Sequence, residues 1–468
     1  MLIFEQFYLS CLAQASYLIG DSETGVAVVV DPRRDVDVYF DAAEAQGLRI
    51  EHVLLTHFHA DFLAGHIELR DRVGAKLHLG AAAQADYKFL PMIDGDELSL
   101  GAVRLWFLAT PGHTPESTSI LVFDGVQKNP HAVLTGDTLF IGDVGRPDLM
   151  ASIGISAEEL AGDLFQSLHH KLLMLPDETL VYPGHGAGSM CGKSLSSETV
   201  STIGAQRATN YALQPMSKSD FIELVTSNLP KTPGYFAYNA DLNRRERPNL
   251  ESALRESVRG LDLEEFLALR DRSGAWVVDS RSAGDFAPAH LAGSLNVGLD
   301  GMLATWAGST IPSDQPLMIV AEPGREHETI LRFGRIGYDR VLGFLEGGFG
   351  ALAEHPDQHR QIGRVSVEGL FAERQIGDAA ALLDVRNEGE WEQTKIEGSF
   401  NIPLRELENR ASELPQNRAL VVHCRTGYRS SLAVSILQRL GIMGARDLVG
   451  GIVAWEENGQ PVVRPPAG

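Results

Sequence analysis

The feature that most constrains the fold of this chain is a repeat within its C-terminal half. The segment WVVDSRSAGDFAPAHLAGSLNVGL (276–299) resembles ALLDVRNEGEWEQTKIEGSFNIPL (381–404), and FLEGGFGAL (344–352) resembles LVGGIVAW (448–455). The offset of 103–105 residues is too long for a solenoid repeat and has the size of a small domain. Each copy alternates β-branched runs with helical stretches, which indicates parallel strands joined by helices. The repeat therefore predicts two related α/β domains in tandem.

The region before the repeat has a different pattern and shares no motif with it. Short apolar runs such as VAVVVDP, HVLLTH and HAVLTGD end in polar turns and predict buried strands, with helical stretches between some of them. Charged, proline-containing segments at 241–250 and 353–364 separate the three blocks. The sequence thus predicts three domains, at residues 1–245, 251–356 and 363–468.

Charge and cysteine content exclude several classes of function. Lys and Arg number 40 and Asp and Glu number 62, so the net charge is −22. This argues against a nucleic-acid or anionic-membrane partner, because phosphate binding needs positive charge. Only three cysteines occur, Cys11, Cys191 and Cys424, so a disulfide framework is excluded and a reducing compartment is expected. Because no apolar run approaches the ~20 residues of a membrane span and no Lys or Arg precedes Arg33, we expect a cytoplasmic protein.

Polar residues of one chemical kind follow the apolar runs of the first block. Four separate runs are followed by His or Asp, and these residues are His57, His59, Asp61, His113, Asp137 and His185. The C-terminal ends of strands are where α/β sheets build their sites. Imidazole and carboxylate groups are ligands of borderline divalent metals. A single histidine after a strand is usually structural, but four runs that end alike predict a metal site.

The last domain contains a second candidate site, in VVHCRTGYRSSLAVSILQRLG (421–441). An apolar strand ends before Cys424, a loop runs to Arg429, and a helix follows. The backbone N–H groups of such a loop and the helix N-terminus form an anion cradle, and Arg425 and Arg429 add positive charge. This arrangement predicts a nucleophilic cysteine rather than a structural one. The middle domain has Ala321 at the cysteine position, so we expect no thiol chemistry there.

The first block carries a family resemblance. The order His-x-His-x-Asp, a distant His, an Asp and a His resembles the metallo-β-lactamase superfamily over the whole block. That superfamily usually continues with another His, whereas HFHADF has Phe62 there, so the pocket for a second metal loses a ligand. The set His57, His113 and Asp137 resembles the single-iron site of the persulfide dioxygenase branch. Two His and one carboxylate suit non-haem Fe(II), so the resemblance implies one Fe(II) per chain.

The same resemblance implies roles for further residues. His59, Asp61 and His185 are expected to orient the ligands and water around the metal, with Asp61 and His185 taking part in catalysis. The segment TGDTLFIGDVGRPD also resembles the persulfide dioxygenase branch, and its Arg146 matches an arginine near the active site there. The alternative for Arg146 is a surface ion pair.

The last domain resembles the rhodanese family through DVRNEGEWEQTKIEGSFNIPL and CRTGYRS, with a loop of sulfurtransferase length. The resemblance implies that Cys424 attacks a sulfane sulfur, carries it as a persulfide and transfers it to an acceptor. The whole chain is similar to bacterial three-domain persulfide dioxygenase–rhodanese fusion proteins of sulfide detoxification. The implied fold class is α/β multidomain, with an αββα sandwich followed by two tandem rhodanese-like domains, of which the middle one is inactive.

That resemblance implies coupled chemistry. A low-molecular-weight persulfide, carried by glutathione, coenzyme A or a bacillithiol-like thiol, is oxidised with O₂ to sulfite. Cys424 transfers sulfur from a second persulfide to sulfite and forms thiosulfate, or works in the reverse direction. Similar fusions carry a cysteine near Cys191, which predicts a sulfur relay or a thiol that senses persulfide by being modified. The alternative is a loop thiol without function. Cys11 lies in an apolar stretch and is expected in the core.

Two other functions stay open from the sequence. A glyoxalase-II-like thioesterase would use the same strand-end residues with zinc, although Phe62 weakens the second metal site that such an enzyme needs. The tandem copies would alternatively form a sulfur-carrier or docking module without catalysis of its own. A homo-oligomer is compatible with either function.

Overall fold

The computed structural model describes residues 1–149, 154–227, 229, 231–376, 380–415 and 418–465. The chain forms two compact units. One contains Met1–Ser252 with Gly334–Gly337, and the other contains Ala253–Phe333 with Tyr338–Gly468. No helix within the described ranges is both long and apolar enough to cross a membrane.

The first unit is built from two six-stranded sheets. The strands are β1 (Leu2–Leu9), β2 (Gln14–Asp21), β3 (Val26–Val30), β4 (Arg49–Leu54), β5 (Lys76–Gly80), β6 (Leu90–Met92), β7 (Glu97–Ser99), β8 (Arg104–Ala109), β9 (Thr118–Phe123), β10 (Ala132–Gly136), β11 (Leu180–Pro183) and β12 (Ser201–Thr202). The helices are α1 (Asp37–Ala45), α2 (His66–Val73), α3 (Ala157–His170), α4 (Ile203–Thr209), α5 (Lys218–Thr226) and α6 (Tyr235–Arg244). The strand orders are β1-β2-β3-β4-β5-β6 and β12-β11-β10-β9-β8-β7.

Alternation along the strands separates two apolar layers in this unit. Tyr17 of β2 and Ile120 of β9 belong to the core between the two sheets. Leu121, the next residue of β9, points the other way and packs in a second core with Leu164 of α3 and Phe221 of α5. On the other sheet, α1 and α2 contact β4. Because side chains of a strand alternate between faces, these two layers produce the predicted αββα sandwich.

The rest of the chain contains smaller elements. The strands are β13 (Gly260–Leu261), β14 (Trp276–Asp279), β15 (His290–Leu291), β16 (Leu295–Asn296), β17 (Leu317–Val320), β18 (Val341–Leu345), β19 (His359–Arg360), β20 (Gly363–Val365), β21 (Ala381–Asp384), β22 (Lys395–Ile396), β23 (Ser399–Asn401), β24 (Leu420–His423), β25 (Arg446–Leu448) and β26 (Val462–Val463). The helices are α7 (Leu250–Ser257), α8 (Leu263–Ser273), α9 (Ala283–Phe286), α10 (Leu303–Thr310), α11 (Glu326–Gly334), α12 (Val367–Gln375), α13 (Glu388–Gln393), α14 (Leu407–Arg410), α15 (Tyr428–Arg439) and α16 (Gly451–Glu457).

The sequence repeat is a structural repeat. The two five-stranded sheets are parallel and have the orders β13-β18-β17-β14-β16 and β20-β25-β24-β21-β23, which match strand for strand. The buried carboxylate of Asp279 accepts from Arg281 at 2.6 Å, and Asp384 accepts from Arg386 at 2.7 Å in the same place of the other copy. The predicted fold class is confirmed, and the exact domain boundaries stay a prediction.

Three local expectations differ from the structure. The segment predicted to link the repeat copies (353–364) contains β19, which pairs with β15 of the middle copy. The linker predicted at 241–250 begins as the last turn of α6. Its charged residues indicated an exposed segment, but Asn243 among them is buried. Cys11 is half-buried rather than in the core, since it lies in the turn between β1 and β2.

Candidate active sites

Three of the predicted metal ligands converge at the C-terminal ends of strands. His57 follows β4, His113 follows β8 and Asp137 follows β10, and all three side chains are buried. Oδ2 of Asp137 lies 3.5 Å from His113 Nε2 and 3.9 Å from His57 Nε2. One ligand atom from each of the three lies within 4.8 Å of the others. His113 Nε2 has no hydrogen-bond partner in the described part of the chain, and a buried nitrogen left open in this way fits a metal ligand.

Neighbouring groups hold these ligands in the state that binds metal. Nδ1 of His113 lies 2.9 Å from the carbonyl oxygen of Arg146, so Nδ1–H donates there and leaves the Nε2 lone pair free. Burial lowers the pKa of His113 and lowers that of His57 well below its usual range. Both imidazoles are therefore neutral, as metal coordination requires.

Two glycines let the backbone approach this centre. Gly136 precedes Asp137 and has φ of 50°, a left-handed conformation that favours glycine, and a Cβ there would lie 2.6 Å from Thr56 Oγ1. A Cβ on Gly145 would lie 1.9 Å from the carbonyl oxygen of Asp137 and 3.0 Å from His113 Nδ1. No larger residue fits either position without moving the ligands.

His185 connects the centre to Asp61. Its Nδ1 lies 2.8 Å from Asp137 Oδ1, and its Nε2 lies 2.9 Å from Asp61 Oδ2. Burial opposes a charge on this imidazole, but the two carboxylates raise the pKa of His185 well above its usual value. His185 is thus held between two carboxylates, and its position fits the predicted role of orienting Asp137.

His59 lies beside His57, with ring centres 4.2 Å apart, but is not one of the three converging ligands. Its Nε2 lies 3.0 Å from Oδ1 of Asp31. The ring of Phe62, which is fully buried, lies 4.4 Å from the His59 ring and 6.3 Å from the His185 ring. Phe62 thus occupies space beside Asp61 where a further imidazole ligand would have been needed.

Cys191 lies beside the same centre. Ligand atoms of Asp61, His185 and Cys191 are all within 4.8 Å of one another. Burial, followed by the nearby Asp61 and Asp137 carboxylates, raises the pKa of the Cys191 thiol well above its usual value. The structure therefore brings this cysteine to the site as a neutral thiol, and its relay role stays a prediction.

Arg146 is buried rather than at the surface. Its guanidinium donates to the two carboxylate oxygens of Asp148, over 2.6 and 2.8 Å, and to the carbonyl oxygen of Met190 over 3.2 Å. Its contribution to the metal ligands comes from its carbonyl oxygen, which accepts from His113. The ion pair expected as the alternative exists, but it lies inside the domain and fixes the segment that carries this carbonyl.

Sequence reasoning missed two residues that support the loop between β4 and α2 (55–65), which carries His57, His59 and Asp61 and is called the ligand loop below. Asn243 is fully buried, and its Nδ2 donates to the carbonyl oxygens of His59 and Phe62, each over 2.8 Å. Its Oδ1 accepts from the N–H of Ala64 over 3.0 Å. Asp31 accepts from the N–H and hydroxyl of Thr56 over 2.8 and 2.7 Å. Asn243 lay in a segment predicted as a linker, so only its contacts reveal it.

The loop of the last domain encloses the Cys424 thiol. Cys424 is buried, its sulfur accepts from the N–H of Gly427 over 3.1 Å, and the hydroxyl of Ser430 lies 3.6 Å away. Arg429 donates to both carboxylate oxygens of Glu390, over 2.7 and 2.9 Å, so its charge is neutralised rather than free for a substrate anion. Arg425 is exposed and keeps the predicted positive charge at the loop.

The middle domain has the same backbone without the thiol. Ala321 follows β17 as Cys424 follows β24. A Cβ on Gly348 would lie 2.4 Å from the carbonyl oxygen of Ala321, and a Cβ on Gly451 would lie 2.5 Å from that of Cys424. Ala321 therefore occupies the place of the cysteine.

Comparison with known proteins identifies the two domains that contain the candidate sites. Residues 9–185 match the metallo-beta-lactamase superfamily, and residues 369–458 match the rhodanese-like domain. The persulfide dioxygenase ETHE1, mitochondrial, of Homo sapiens is 32% identical over 226 residues, which cover 46% of this chain and 78% of that protein. The chain belongs to the metallo-β-lactamase superfamily. It has the fold of that superfamily at its N-terminus and a rhodanese-like domain at its C-terminus.

Two further proteins are similar to this chain. The crystal structure of a metallo-beta-lactamase from Staphylococcus aureus subsp. aureus COL superposes with a TM-score of 0.65 at 31% identity. It covers 73% of this chain and 98% of its own, so the likeness extends beyond the superfamily domain. A cytoplasmic hydroxyacylglutathione hydrolase of Arabidopsis thaliana is 36% identical over 182 residues, which cover 38% of this chain and 66% of the hydrolase.

Proposed function

We propose that this protein is a mononuclear non-haem iron persulfide dioxygenase coupled to a sulfurtransferase in sulfide detoxification. The observation that carries the proposal is the convergence of His57, His113 and Asp137, while His59 faces Asp31 and Phe62 fills the neighbouring space. Two imidazoles and one carboxylate are the set that suits Fe(II) and leaves positions open. The similarity to persulfide dioxygenase supports an oxidoreductase, and the rhodanese-like domain supports sulfur chemistry.

The proposed oxidation converts a thiol persulfide, O₂ and water into the free thiol, sulfite and two protons. His57, His113 and Asp137 would hold Fe(II), which when bound would supply the redox chemistry between the persulfide and O₂. Asp61 Oδ1 has no hydrogen-bond partner among the described residues, so it is the free acceptor for a proton of water. His185 holds the other oxygen of Asp61 and one oxygen of Asp137, which orients both carboxylates.

A cavity of about 310 Å³ lies next to the centre and suits the carrier thiol. Phe58 and Ala60, which flank ligand-loop histidines, line one side of it, and Phe236 of α6 lines another. Thr114, the neighbour of His113, also lines it. The wall is mainly apolar, so it binds the body of a low-molecular-weight thiol such as glutathione, coenzyme A or a bacillithiol-like molecule.

The proposed sulfur transfer takes place at Cys424. Its thiolate attacks the outer sulfur of a second persulfide, and the carrier thiolate leaves. Sulfite then attacks the sulfur held on Cys424, forms thiosulfate and regenerates the thiolate; the same groups serve the reverse direction. The N–H of Gly427 already donates to the sulfur and stabilises negative charge there.

Oxygen uptake by the iron-loaded protein with glutathione persulfide tests the dioxygenase. We expect uptake with sulfite or thiosulfate as products, and loss of both iron and uptake in His113→Ala. The matched control is His131→Ala, which replaces an exposed histidine and leaves both unchanged. A protein that retains zinc and hydrolyses thioesters, without oxygen uptake from glutathione or coenzyme A persulfide, would instead be the hydrolase that the Arabidopsis relative represents.

Product analysis tests the coupling. In Cys424→Ser we expect unchanged oxygen uptake but sulfite in place of thiosulfate. Cys11→Ser is the control, because Cys11 is a half-buried turn cysteine outside both sites. If Cys424→Ser left thiosulfate formation and consumption unchanged, the coupled function would be wrong.

A further inference from the structure

The helix that follows the Cys424 loop is held by the middle domain. Both rhodanese-like domains belong to one compact unit. Tyr428, the first residue of α15, donates its hydroxyl to the carbonyl oxygen of Gly298 over 2.6 Å. Ser431 donates its hydroxyl to Asn296 Oδ1 over 2.6 Å, and the N–H of Asn296 donates to the Ser435 hydroxyl over 3.1 Å. The first two turns of α15 thus have hydrogen-bond partners in the cysteine-free copy.

At the start of α15, residues that bond to the middle domain alternate along the chain with residues that contact the Cys424 sulfur. Gly427 and Ser430 contact the Cys424 sulfur, and each is followed directly by a residue that the middle domain holds, Tyr428 and Ser431. The hydrogen bonds between Asn296 and α15 are shielded from water, because Asn296, Ser431 and Ser435 are buried. The Ser430 hydroxyl donates to Asp447 over 2.6 Å and lies 3.6 Å from the sulfur, so the Gly427 N–H is the donor to the sulfur. A shift of the first turn of α15 would therefore move this donor and the Ser430 hydroxyl.

Comparison of the two rhodanese-like domains shows that Asn296 makes hydrogen bonds within the middle domain and a further one to α15 of the last domain. In the last domain, Asn401 Nδ2 donates to the carbonyl oxygens of Asp384 and Arg386, each over 2.9 Å. Asn296 Nδ2 makes the equivalent two bonds to Asp279 and Arg281, over 3.2 and 2.9 Å. Its Oδ1 is thereby aimed at α15, where it accepts from Ser431.

A third contact places an aromatic ring against the loop's terminal arginine. The Arg429 guanidinium lies 5.1 Å from the ring centre of Trp306 in α10, within the range of a cation–π interaction. Glu390 of the last domain fixes the same guanidinium from another direction. Arg429 therefore contacts Trp306 of the middle domain and Glu390 of its own domain.

We propose that the inactive middle domain is a positioning domain for the Cys424 loop, acting through Asn296, Gly298 and Trp306 on the start of α15. The inference rests on the proposed sulfur transfer at Cys424. The middle domain has no thiol at this position, but it makes these contacts with α15. Its function is therefore to support the Cys424 loop of the last domain. The positioning residues act on Gly427 and Ser430 and do not touch the substrate.

The test removes the two hydroxyls that α15 presents to the middle domain. In the full-length double variant Tyr428→Phe and Ser431→Ala, we expect sulfur transfer from thiosulfate to fall about tenfold, the effect of a lost buried hydrogen bond. Because the Gly427 N–H that donates to the sulfur moves, the pH profile of Cys424 alkylation by iodoacetamide also departs from that of the wild type. Mass spectrometry of the Cys424 peptide measures the alkylation independently of any transfer activity.

Two further variants separate positioning from general damage. Gln438→Ala removes the hydrogen bond from His290 at the other end of α15, about 10 Å from Ser431, and should leave the alkylation profile unchanged. Tyr428→Phe with Ser431→Thr restores one hydroxyl and should recover part of the loss. A double variant that folds and has the wild-type alkylation profile would overturn the proposal. Absence of sulfur transfer in the wild-type protein would overturn the proposed function alone, since the alkylation profiles still test the positioning.

Discussion

Nε2 of His59 lies 3.0 Å from Oδ1 of Asp31, so this histidine faces a carboxylate rather than the converging ligands. Asp31 has φ of 49°, an uncommon conformation for a residue with a side chain, and it also holds the N–H and hydroxyl of Thr56. Thr56 in turn places its hydroxyl 3.0 Å from His57 Nδ1. Asp31 therefore lies against His59 and, through Thr56, supports His57, which belongs to the centre.

This relationship predicts a loss of iron affinity in Asp31→Asn. The amide keeps the size of the carboxylate but lacks its charge, so it holds His59 and Thr56 less firmly and leaves the orientation of His57 less defined. We expect iron to be retained about 10- to 100-fold more weakly, the usual effect of removing a group that orients a ligand. Iron per chain, measured by elemental analysis against a graded chelator, checks this. Asp41→Asn, at an exposed position of α1, is the control, and equal iron retention in the two variants would contradict the prediction.

A second prediction concerns Asn243 in α6. Asn243→Ala removes three hydrogen bonds to the ligand loop and leaves buried backbone groups unpaired, so we expect a loss of about 2–4 kcal/mol in the free energy of unfolding. Denaturant unfolding of the first unit and iron content measure the effect. Asn239→Ala is the matched control on the same helix, because the Asn239 side chain is buried without a hydrogen-bond partner in the described part of the chain. Equal losses in the two variants would show that burial alone, not the loop contacts, is responsible.

A third prediction compares two glycines of the last domain. Gly451 and Gly459 have φ of 60° and 69°, so alanine is strained at both and costs about 1 kcal/mol. At Gly451 the added Cβ would also lie 2.5 Å from the carbonyl oxygen of Cys424, whereas nothing lies within 4 Å at Gly459. We therefore expect Gly451→Ala to be destabilised by roughly 3 kcal/mol and to lose sulfur transfer, since overpacking must move the loop. Gly459→Ala should keep its activity; activity retained in both would show that the loop tolerates the displacement.

A fourth prediction is a pH dependence that arises at Asp447. Burial raises the pKa of this carboxyl to about 6, although Ser430 and Arg364 act in the opposite direction. The folded state therefore favours the protonated form, and stability falls as pH rises from the ordinary value of 3.8 through about 6. Asp447→Asn removes this loss, so we expect it to be more stable than the wild type by up to roughly 3 kcal/mol above pH 7 and by little near pH 4.

Hydrogen exchange of amides in β24 and α15, measured from pH 4 to pH 8, checks the prediction for Asp447. Glu457→Gln in α16 is the control, because it makes the same chemical change at an exposed position. A stability difference between Asp447→Asn and the wild type that does not grow with pH would contradict it.

Much of this protein follows from local sequence. The strand-end pattern predicted six candidates, and the family resemblance selected His57, His113 and Asp137 from them. His57 follows a strand of one sheet, and the other two follow strands of the second sheet, so the packing of the two sheets brings them together. The repeat predicted two matching sheets, and LMIVA placed Ala321 where the cysteine would be. Phe62 predicted the altered second metal pocket because it falls within a motif of fixed spacing.

Other features were decided only by tertiary structure. Asp31, Asn243 and Glu390 are distant in sequence from the groups they hold, and single Asp, Asn and Glu residues carry no signal of their partners. The same applies to Asn296, whose contact with α15 crosses 135 residues of chain. Periodicity and motif spacing determine which strands and loops form, because they reflect local geometry. The orientation of each side chain within a site depends on which buried donors and acceptors the fold brings next to it, and that is a property of packing.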